Sequence, residues 1–172
     1  EMIVHENGNG GIIVVGSHTQ KTTDQLEALK SLENVKFLEF NSDLVLEEDL
    51  FQKEITKVLK LEDELIQTGQ TVVVFTKRKL LTLQQDTKEA ALLRSVKISD
   101  AVQSLVGRLS VVPSFVIAKG GITSSDVGTK ALQVKKAYVM GQVKPGIPVW
   151  QTGSESRFPL TPYIIFPGHV GL

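Results

Sequence analysis

The chain has 172 residues, of which 41% are hydrophobic and 22% charged, the composition of an ordinary soluble globular protein. The charges of the nineteen basic and nineteen acidic residues cancel, so the net charge is zero. The basic excess typical of proteins that bind nucleic acid or anionic membranes is therefore missing, and we expect neither partner. Cysteine is absent, which excludes disulfides and thiolate metal sites and fits a cytoplasmic protein.

The length fits a single domain with its own core. Residues 1–10, EMIVHENGNG, have neither a basic start nor a long apolar run, so they do not resemble a secretory signal. Their glycines and asparagines are typical of a linker or of the cut end of a longer polypeptide. We therefore assign residues 11–172 to the folded domain.

Predicted strands and helices alternate along the chain. Short apolar runs bounded by glycine, proline or charged residues predict strands, and apolar residues at intervals of three and four predict helices. The predicted strands cover 11–15, 34–40, 71–75, 114–118, 137–143, 147–153 and a last segment that starts at 162. The predicted helices cover 19–32, 50–65, 98–109 and a segment that ends at about 133. Residues 77–93 are interpreted as a loop or a frayed helix.

This order of elements favours an α/β fold. Strands without clean alternation, separated by helices, predict a mostly parallel sheet with helices on both faces, in a Rossmann-like three-layer sandwich. Such sheets bind ligands where their strands end, at the carboxyl edge. Three predicted loops at this edge have suitable residues: Gly16-Ser17-His18, Lys119 to Asp126 and Pro167 to Gly171. The sequence therefore predicts a ligand site where these loops meet.

The segment AKGGITSSDVGTKAL, residues 118–132, is the most informative of the three loops. Its double glycine would allow the backbone to approach a ligand closely, and the helix that follows would aim unpaired N–H groups at it. Phosphate is the usual ligand of such a corner. The hydroxyls of residues 123–125 could add donors, and Lys119 could supply a positive charge. Asp126 could cap the helix or help to hold hydrated Mg²⁺.

Other interpretations of these loops stay open. A double glycine followed by Thr, Ser and Asp also suits a tight turn with a helix cap, and the segment matches neither the G-x-G-x-x-G fingerprint nor the P-loop. Ser17 and His18 could act as nucleophile and base, but adjacent side chains rarely point together and no orienting carboxylate is evident. His18 and the other two histidines, His5 and His169, do not have the spacing of a zinc site.

Four segments together resemble the motifs of one known family. VVGSHTQKTTDQLEAL, AKGGITSSDVGTKAL, GQVKPGIPVW and PYIIFPGHVG are similar, in this order, to motifs of the carboxyl-terminal nucleotide-binding domain of four-carbon acid sugar kinases. The resemblance extends from about Gly11 to Gly171. It implies a domain that holds ATP with Mg²⁺. The enzyme would phosphorylate erythronate, threonate or 3-oxo-tetronate on the terminal hydroxyl.

The resemblance also implies which residues contact ATP: Ser17, Gly120, Gly121, Ile122, Thr123 and Gly168. The glycines would admit the nucleotide, Thr123 and neighbouring amides would hold phosphate, and Ser17 would hydrogen-bond phosphate or ribose. The chain departs from the family pattern at His169, where asparagine is expected, and at Gly128, where alanine is common.

In that family the sugar acid and the catalytic residue belong to an amino-terminal domain, and no part of this chain resembles that domain. The resemblance therefore implies one half of a kinase of carbohydrate metabolism, which acts on the sugar acid only when the missing domain closes over it. No metal ligand is assigned to the chain itself, and a homodimer is consistent with the sequence. A non-catalytic module for nucleotide sensing or oligomerisation stays open as the alternative. A dinucleotide-binding dehydrogenase domain is disfavoured because the acidic ribose-binding residue of that fingerprint is missing.

Overall fold

The chain folds into one sheet flanked by helices. A computed structural model describes residues 8–135, 137–144 and 147–166. The strands within these ranges are β1 (Ile12–Val15), β2 (Val35–Phe40), β3 (Thr71–Thr76), β4 (Val116–Lys119), β5 (Ala137–Lys144), β6 (Ile147–Thr152) and β7 (Pro162–Phe166). The helices there are α1 (Gln20–Leu29), α2 (Glu48–Gln67), α3 (Lys88–Gly107) and α4 (Gly121–Asp126). A 3-10 turn covers Ser42–Leu46, and a π-helical turn at Val127–Ala131 continues α4.

The strand order across the sheet is β2-β3-β1-β4-β7-β6-β5. The first five strands in this order run parallel to one another, and β6 and β5 follow as antiparallel strands at one side. The predicted mostly parallel α/β sheet is therefore confirmed. Because parallel strands end at the same edge, the loops after them emerge together at what we call the carboxyl edge.

Alternate residues of the central strands pack into two different layers. Ile12 and Val14 belong to the main core, which is formed with α2, α3 and the turn after α4. Val15 packs on the opposite face, in a smaller cluster with Leu26 of α1 and Val73 of β3. Helix α1 thus covers one face and the other helices cover the second, which confirms the three-layer sandwich.

Two helix ends follow directly from local sequence signals. Thr19 caps α1, because its side chain accepts a hydrogen bond from the Thr22 amide at 3.2 Å. Gly69 lies just beyond the C-cap of α2 with a φ of 88°, the left-handed conformation that glycine adopts most readily after a helix. Threonine at an N-cap and glycine just beyond a C-cap are residue types typical of helix ends.

Helix α3 begins ten residues earlier than predicted, at Lys88 instead of residue 98. Its cap is Thr87, whose side chain accepts a hydrogen bond from the Ala90 amide at 3.0 Å. Periodicity did not reveal the first half because its apolar side chains do not face the core. Leu92 and Leu93 are each 65% exposed, and the first buried residue of the helix is Ala101.

Two further sequence predictions concern the later part of the chain. The predicted joint between the fifth and sixth strands includes residues 145–146, which lie outside the described residues. The glycine-rich end after β7, residues 167–171, also lies outside them. The helix after β4 was predicted to reach about 133, and it ends in the π-helical turn at Ala131.

Candidate functional site

Strands β1 and β4 lie side by side at the point where the chain connections diverge. Val15 of β1 is paired with Lys119 of β4 at the carboxyl edge. The loop after β1 leads into α1 on one face of the sheet, and the loop after β4 leads into α4 on the other. In open parallel sheets the crevice above two diverging loops is the usual position of a ligand.

Hydrogen bonds join the ends of three strands at this crevice. The Gly16 amide donates to the Lys119 carbonyl at 3.1 Å, and the Gly120 amide donates to the Phe166 carbonyl at 2.8 Å. The loops after β1 and β4 therefore meet, and β7 ends beside them. The third predicted loop starts from this position, but Gly168 and His169 lie outside the described residues.

The glycines at this crevice allow the two loops to approach each other. Gly120 has a φ of 113°, and a Cβ at this position would lie 3.3 Å from the Ser17 amide nitrogen. A Cβ on Gly16 would lie only 2.0 Å from the Thr123 Oγ1. At Gly121, by contrast, a Cβ would meet no atom within 4 Å. The backbone is thus tightly packed at Gly16 and Gly120, whereas Gly121 has free space beside it.

Backbone amides supply the donors of the β4–α4 corner. Gly120 occupies the N-cap of α4 and has no capping side chain, so the predicted capping role of Asp126 is wrong. The first intrahelical bond runs from the Ser124 amide to the Gly120 carbonyl at 2.9 Å. The amides of residues 121–123 precede it and have no acceptor within the helix. Ile122 follows the open glycine and is 73% exposed.

The side chains after the double glycine are mostly engaged within the fold. Ser124 Oγ donates to the Gly120 carbonyl at 2.7 Å, so it stabilises the turn and is not the free donor that was expected. Asp126 accepts a hydrogen bond from Ser99 of α3 at 2.5 Å and lies 3.9 Å from the Lys130 ammonium. Thr123 is buried against Gly16. The loop therefore offers a ligand its amides more than its hydroxyls.

A network of hydroxyl groups positions Ser17 in the β1–α1 loop. Its Oγ accepts from Thr22 Oγ1 at 3.0 Å and is hydrogen-bonded to Thr19 Oγ1 at 3.2 Å. The carbonyl of Ser17 accepts a hydrogen bond from Arg78 Nη1 at 2.6 Å. Arg78 follows β3 and also reaches the Thr19 carbonyl and the Thr23 hydroxyl.

Cationic side chains flank the crevice, although the net charge of the chain is zero. Lys119 is buried at the end of β4, with its ammonium 5.5 Å from the centre of the Phe166 ring. Burial lowers the pKa of Lys119, and the nearby Lys21 ammonium lowers it further. Burial also lowers the pKa of Arg78, and no carboxylate forms an ion pair with it in the described part of the chain. An anion would be stabilised here.

Two grooves on the molecule differ in their relation to this crevice. The larger, about 490 Å³, lies between α2 and α3, and residues such as Gln52 and Gln103 line it. It contains none of the predicted site residues, so volume alone does not indicate the site. The smaller, about 360 Å³, lies beside α1 and extends from Leu32 to Lys119 and Phe166. It reaches the carboxyl edge at Lys119.

The structure does not bring Ser17 and His18 together as a nucleophile and base. The Ser17 hydroxyl contacts other hydroxyls, whereas His18 lies near the backbone of Lys77 and near Arg78. Burial lowers the pKa of His18, and the Arg78 charge lowers it further. Among the described residues no three His, Asp or Glu side chains form a metal-binding group. Over the same residues, none of the helices has the length and apolar character required to cross a membrane.

Arg78 lies close to the candidate site but was not among the site residues predicted from the sequence. It lies in the segment 77–93, which has no clear periodicity. One signal was available: Arg78 comes three residues after the predicted buried strand 71–75, which in the structure ends at Thr76, and therefore lies at the carboxyl edge. Its partners could not be predicted, because β3 becomes a neighbour of β1 only in the folded sheet.

Comparisons with known proteins identify a family and structures with a similar fold. The family described as nucleotide-binding C-terminal domain matches residues 12–172. A crystal structure from Bordetella bronchiseptica, a domain of unknown function (DUF1537) with bound citrate and described as a domain-swapped dimer, superposes with a TM-score of 0.74 at 16% identity. A protein from Salmonella typhimurium, described provisionally as a tRNA synthase, superposes with a TM-score of 0.72, also at 16% identity. Comparison with curated proteins gives no match.

The length of these structural relatives differs from that of the chain. The superpositions cover 96% and 95% of this chain but only 39% and 38% of the two relatives. At such low identity they show a shared fold and no more. The family match extends over nearly the whole chain and includes both loops of the crevice. The chain therefore belongs to the family of nucleotide-binding C-terminal domains.

Proposed function

We propose that this domain binds ATP at the crevice between the loops after β1 and β4. The observation that carries the proposal is the convergence of these loops: the Gly16 amide bonds the Lys119 carbonyl, and Gly120 lies against the Ser17 amide. A nucleotide phosphate chain has the size and charge that such a crevice accepts. The family match supports a nucleotide as the ligand, and the flanking cations support an anionic one.

Each residue has a distinct role in this proposal. The amides of Gly121, Ile122 and Thr123 would donate to phosphate oxygens, since they have no acceptor in the helix. Ser17, in the loop between β1 and α1, would hydrogen-bond phosphate or ribose. Gly168 would approach the nucleotide from the end of β7, as the sequence resemblance implies.

Mg²⁺ would enter the site with the nucleotide. The described residues do not offer a cluster of acidic side chains, and Asp126 is paired with Ser99 and Lys130. Protein sites for Mg²⁺–nucleotides commonly rely on phosphate oxygens and water for most of the coordination. The donor set here fits a metal held chiefly by the phosphates of ATP.

We further propose that the domain serves a kinase that phosphorylates a four-carbon sugar acid on its terminal hydroxyl. Phosphoryl transfer requires positioning and charge stabilisation of the phosphate chain, which the amides and cations of this crevice would supply. The acceptor hydroxyl and its base would come from a separate substrate domain. The structural relatives are longer than this chain, which leaves room for such a domain in their architecture. Alone, the chain should bind ATP without sugar acid turnover.

Titration calorimetry with Mg²⁺–ATP tests the proposal when combined with two glycine variants. In Gly121→Leu the new side chain enters open space, so the fold should survive and ATP binding should be lost. In the control Gly128→Ala the added Cβ lies 3.4 Å from the Tyr163 ring, an ordinary contact, and affinity should be unchanged. No heat of binding for the parent chain at millimolar ATP would contradict the proposal.

The alternative is a non-catalytic module that senses nucleotide or mediates assembly. It is favoured by one observation: the carboxylate nearest to the glycine loop in sequence, Asp126, is held by Ser99 and Lys130 and is not poised as a base. The same titrations separate a module for assembly from a nucleotide site. A module for assembly alone would give no heat of ATP binding in the parent chain or in Gly121→Leu, and both would stay folded.

A further inference from the structure

Arg78 connects strand β3 to the loop that holds Ser17. Its guanidinium donates to the Ser17 carbonyl at 2.6 Å through Nη1 and to the Thr19 carbonyl at 3.4 Å through Nη2. Nε and Nη2 both donate to Thr23 Oγ1, at 3.2 and 3.1 Å. These partners lie on the β1–α1 loop and the first turn of α1, more than fifty residues away in sequence.

This arrangement needs a guanidinium. The planar fork of arginine can contact two carbonyls and a hydroxyl at fixed angles, whereas a lysine ammonium acts as one compact charge. The Ser17 carbonyl that accepts from Nη1 and the amide of His18 belong to the same planar peptide group and point in opposite directions. The hydrogen bond from Arg78 to the carbonyl therefore also fixes the direction of the His18 amide. A change at Arg78 would therefore alter the direction of donors in the loop.

We propose that Arg78 is a positioning residue for phosphate binding: it holds the β1–α1 loop so that Ser17 and the neighbouring amides face the nucleotide phosphates. The inference rests on the proposed nucleotide binding. In the described part of the chain Arg78 has no acidic partner. Its charge thus stays uncompensated beside the crevice, which favours an anionic ligand over a neutral one.

Four variants separate positioning from charge. Arg78→Met removes both, and Arg78→Lys keeps the charge without the fork. Thr23→Val keeps the arginine but removes the acceptor of two of its hydrogen bonds. Lys79→Met is the matched control, because it removes an equal charge from an exposed neighbouring position.

Calorimetry with Mg²⁺–ATP and with adenosine is the binding measurement. We expect Arg78→Met to weaken ATP binding by at least about tenfold, and Arg78→Lys and Thr23→Val by severalfold. Lys79→Met should stay within about twofold at the same ionic strength. Adenosine binding should change little in all four variants. Equal ATP affinity in Arg78→Met and the parent would overturn the proposal, as would parent-like affinity in both Arg78→Lys and Thr23→Val, since charge alone would then suffice.

A second measurement needs no nucleotide and so separates this inference from the proposed function. Amide hydrogen exchange at residues 17–19 should accelerate in Arg78→Met and Thr23→Val, and stay unchanged in Lys79→Met. The pKa of His18, followed by NMR, should rise in Arg78→Met because the nearby positive charge is removed. If the parent binds no ATP but these changes occur, the proposed function fails while Arg78 still positions the loop. Unchanged exchange at 17–19 would refute the positioning role itself.

Discussion

Three glycines near the carboxyl edge differ in what a side chain would do to them. Gly120 combines a φ of 113° with a close approach to Ser17, so substitution would strain the backbone. Gly16 has no unusual φ, but its Cα faces the buried Thr123 hydroxyl. Gly121 has open space around it. Two of the glycines thus shape the fold, and only the third is available to a ligand.

Gly16→Ala should destabilise the domain by about 1–3 kcal/mol, because the new methyl group overlaps Thr123 Oγ1 in a packed region. The double variant Gly16→Ala with Thr123→Ala should recover much of this loss. The nearest remaining Thr123 atom, its Cβ, would lie 3.2 Å away. Urea unfolding of the single and double variants measures the coupling. Additive effects of the two substitutions would contradict the predicted contact.

Glu62 is a buried carboxylic acid whose protonation depends on its environment. It is 0% exposed in the middle of α2, and neither of its carboxylate oxygens has a hydrogen-bond partner among the described residues. Burial raises the pKa of Glu62 well above its usual value, and the neighbouring Asp63 raises it further. The folded protein therefore holds a proton that the unfolded chain releases. Stability from this group is full below the unfolded pKa of about 4.3 and falls as the pH rises toward the folded pKa.

Glu62→Met should raise the free energy of unfolding at pH 8 by about 1–3 kcal/mol, because a buried carboxyl without a partner is replaced by an apolar side chain of similar length. The gain should be smaller at pH 5. Glu64→Met, at an exposed position of the same helix, is the control and should change stability little at either pH. Denaturant unfolding at the two pH values checks this, and a pH-independent difference would contradict the predicted protonation.

At the scale of elements, α3 consists of two unlike halves. The second half packs into the core through Ala101, Val102, Leu105 and Val106. The first half contains no buried residue and is held mainly by the Thr87 cap and by the ion pair between Asp86 and Arg94. Helices without packing are marginal in water, so the two halves should differ in local stability.

Amide exchange should therefore be much faster in residues 88–97 than in residues 101–106. Helix α2 is the internal control, because its buried residues extend from Phe51 to Ile66 and its protection should be uniform. Arg94→Met should accelerate exchange in the first half of α3 alone. Equal protection along the whole of α3 would contradict this prediction and would mean that another surface covers the first half in solution.

The elements that sequence predicted best are those whose signals are local. Runs of β-branched residues predicted the central strands, most of whose side chains are buried in the sheet. The start of α3 was missed, because periodicity detects only helices that face a core. The strand order and the role of Ser124 in the turn after Gly120 also depend on folded neighbours that no local pattern encodes.

At the scale of the whole molecule, the sheet order places the candidate site. Strand β1 lies between β3 and β4, so the β1–α1 loop can contact Arg78 on one side and Gly120 on the other. Sequence predicted that loops at the carboxyl edge would meet, but not that β3 would contribute. A parallel sheet with diverging loops thus assembles one crevice, flanked by cationic side chains, from segments far apart in the chain.

The most direct test of the proposed nucleotide site is amide chemical-shift mapping of the full chain during titration with Mg²⁺–ATP. We expect perturbations in both loops of the crevice, at residues 16–19 and 120–124, that follow a single binding curve. Amides of the β5–β6 strands should not respond. Perturbation of only one loop, or of a different surface such as the groove between α2 and α3, would contradict the proposal that the two loops form one nucleotide site.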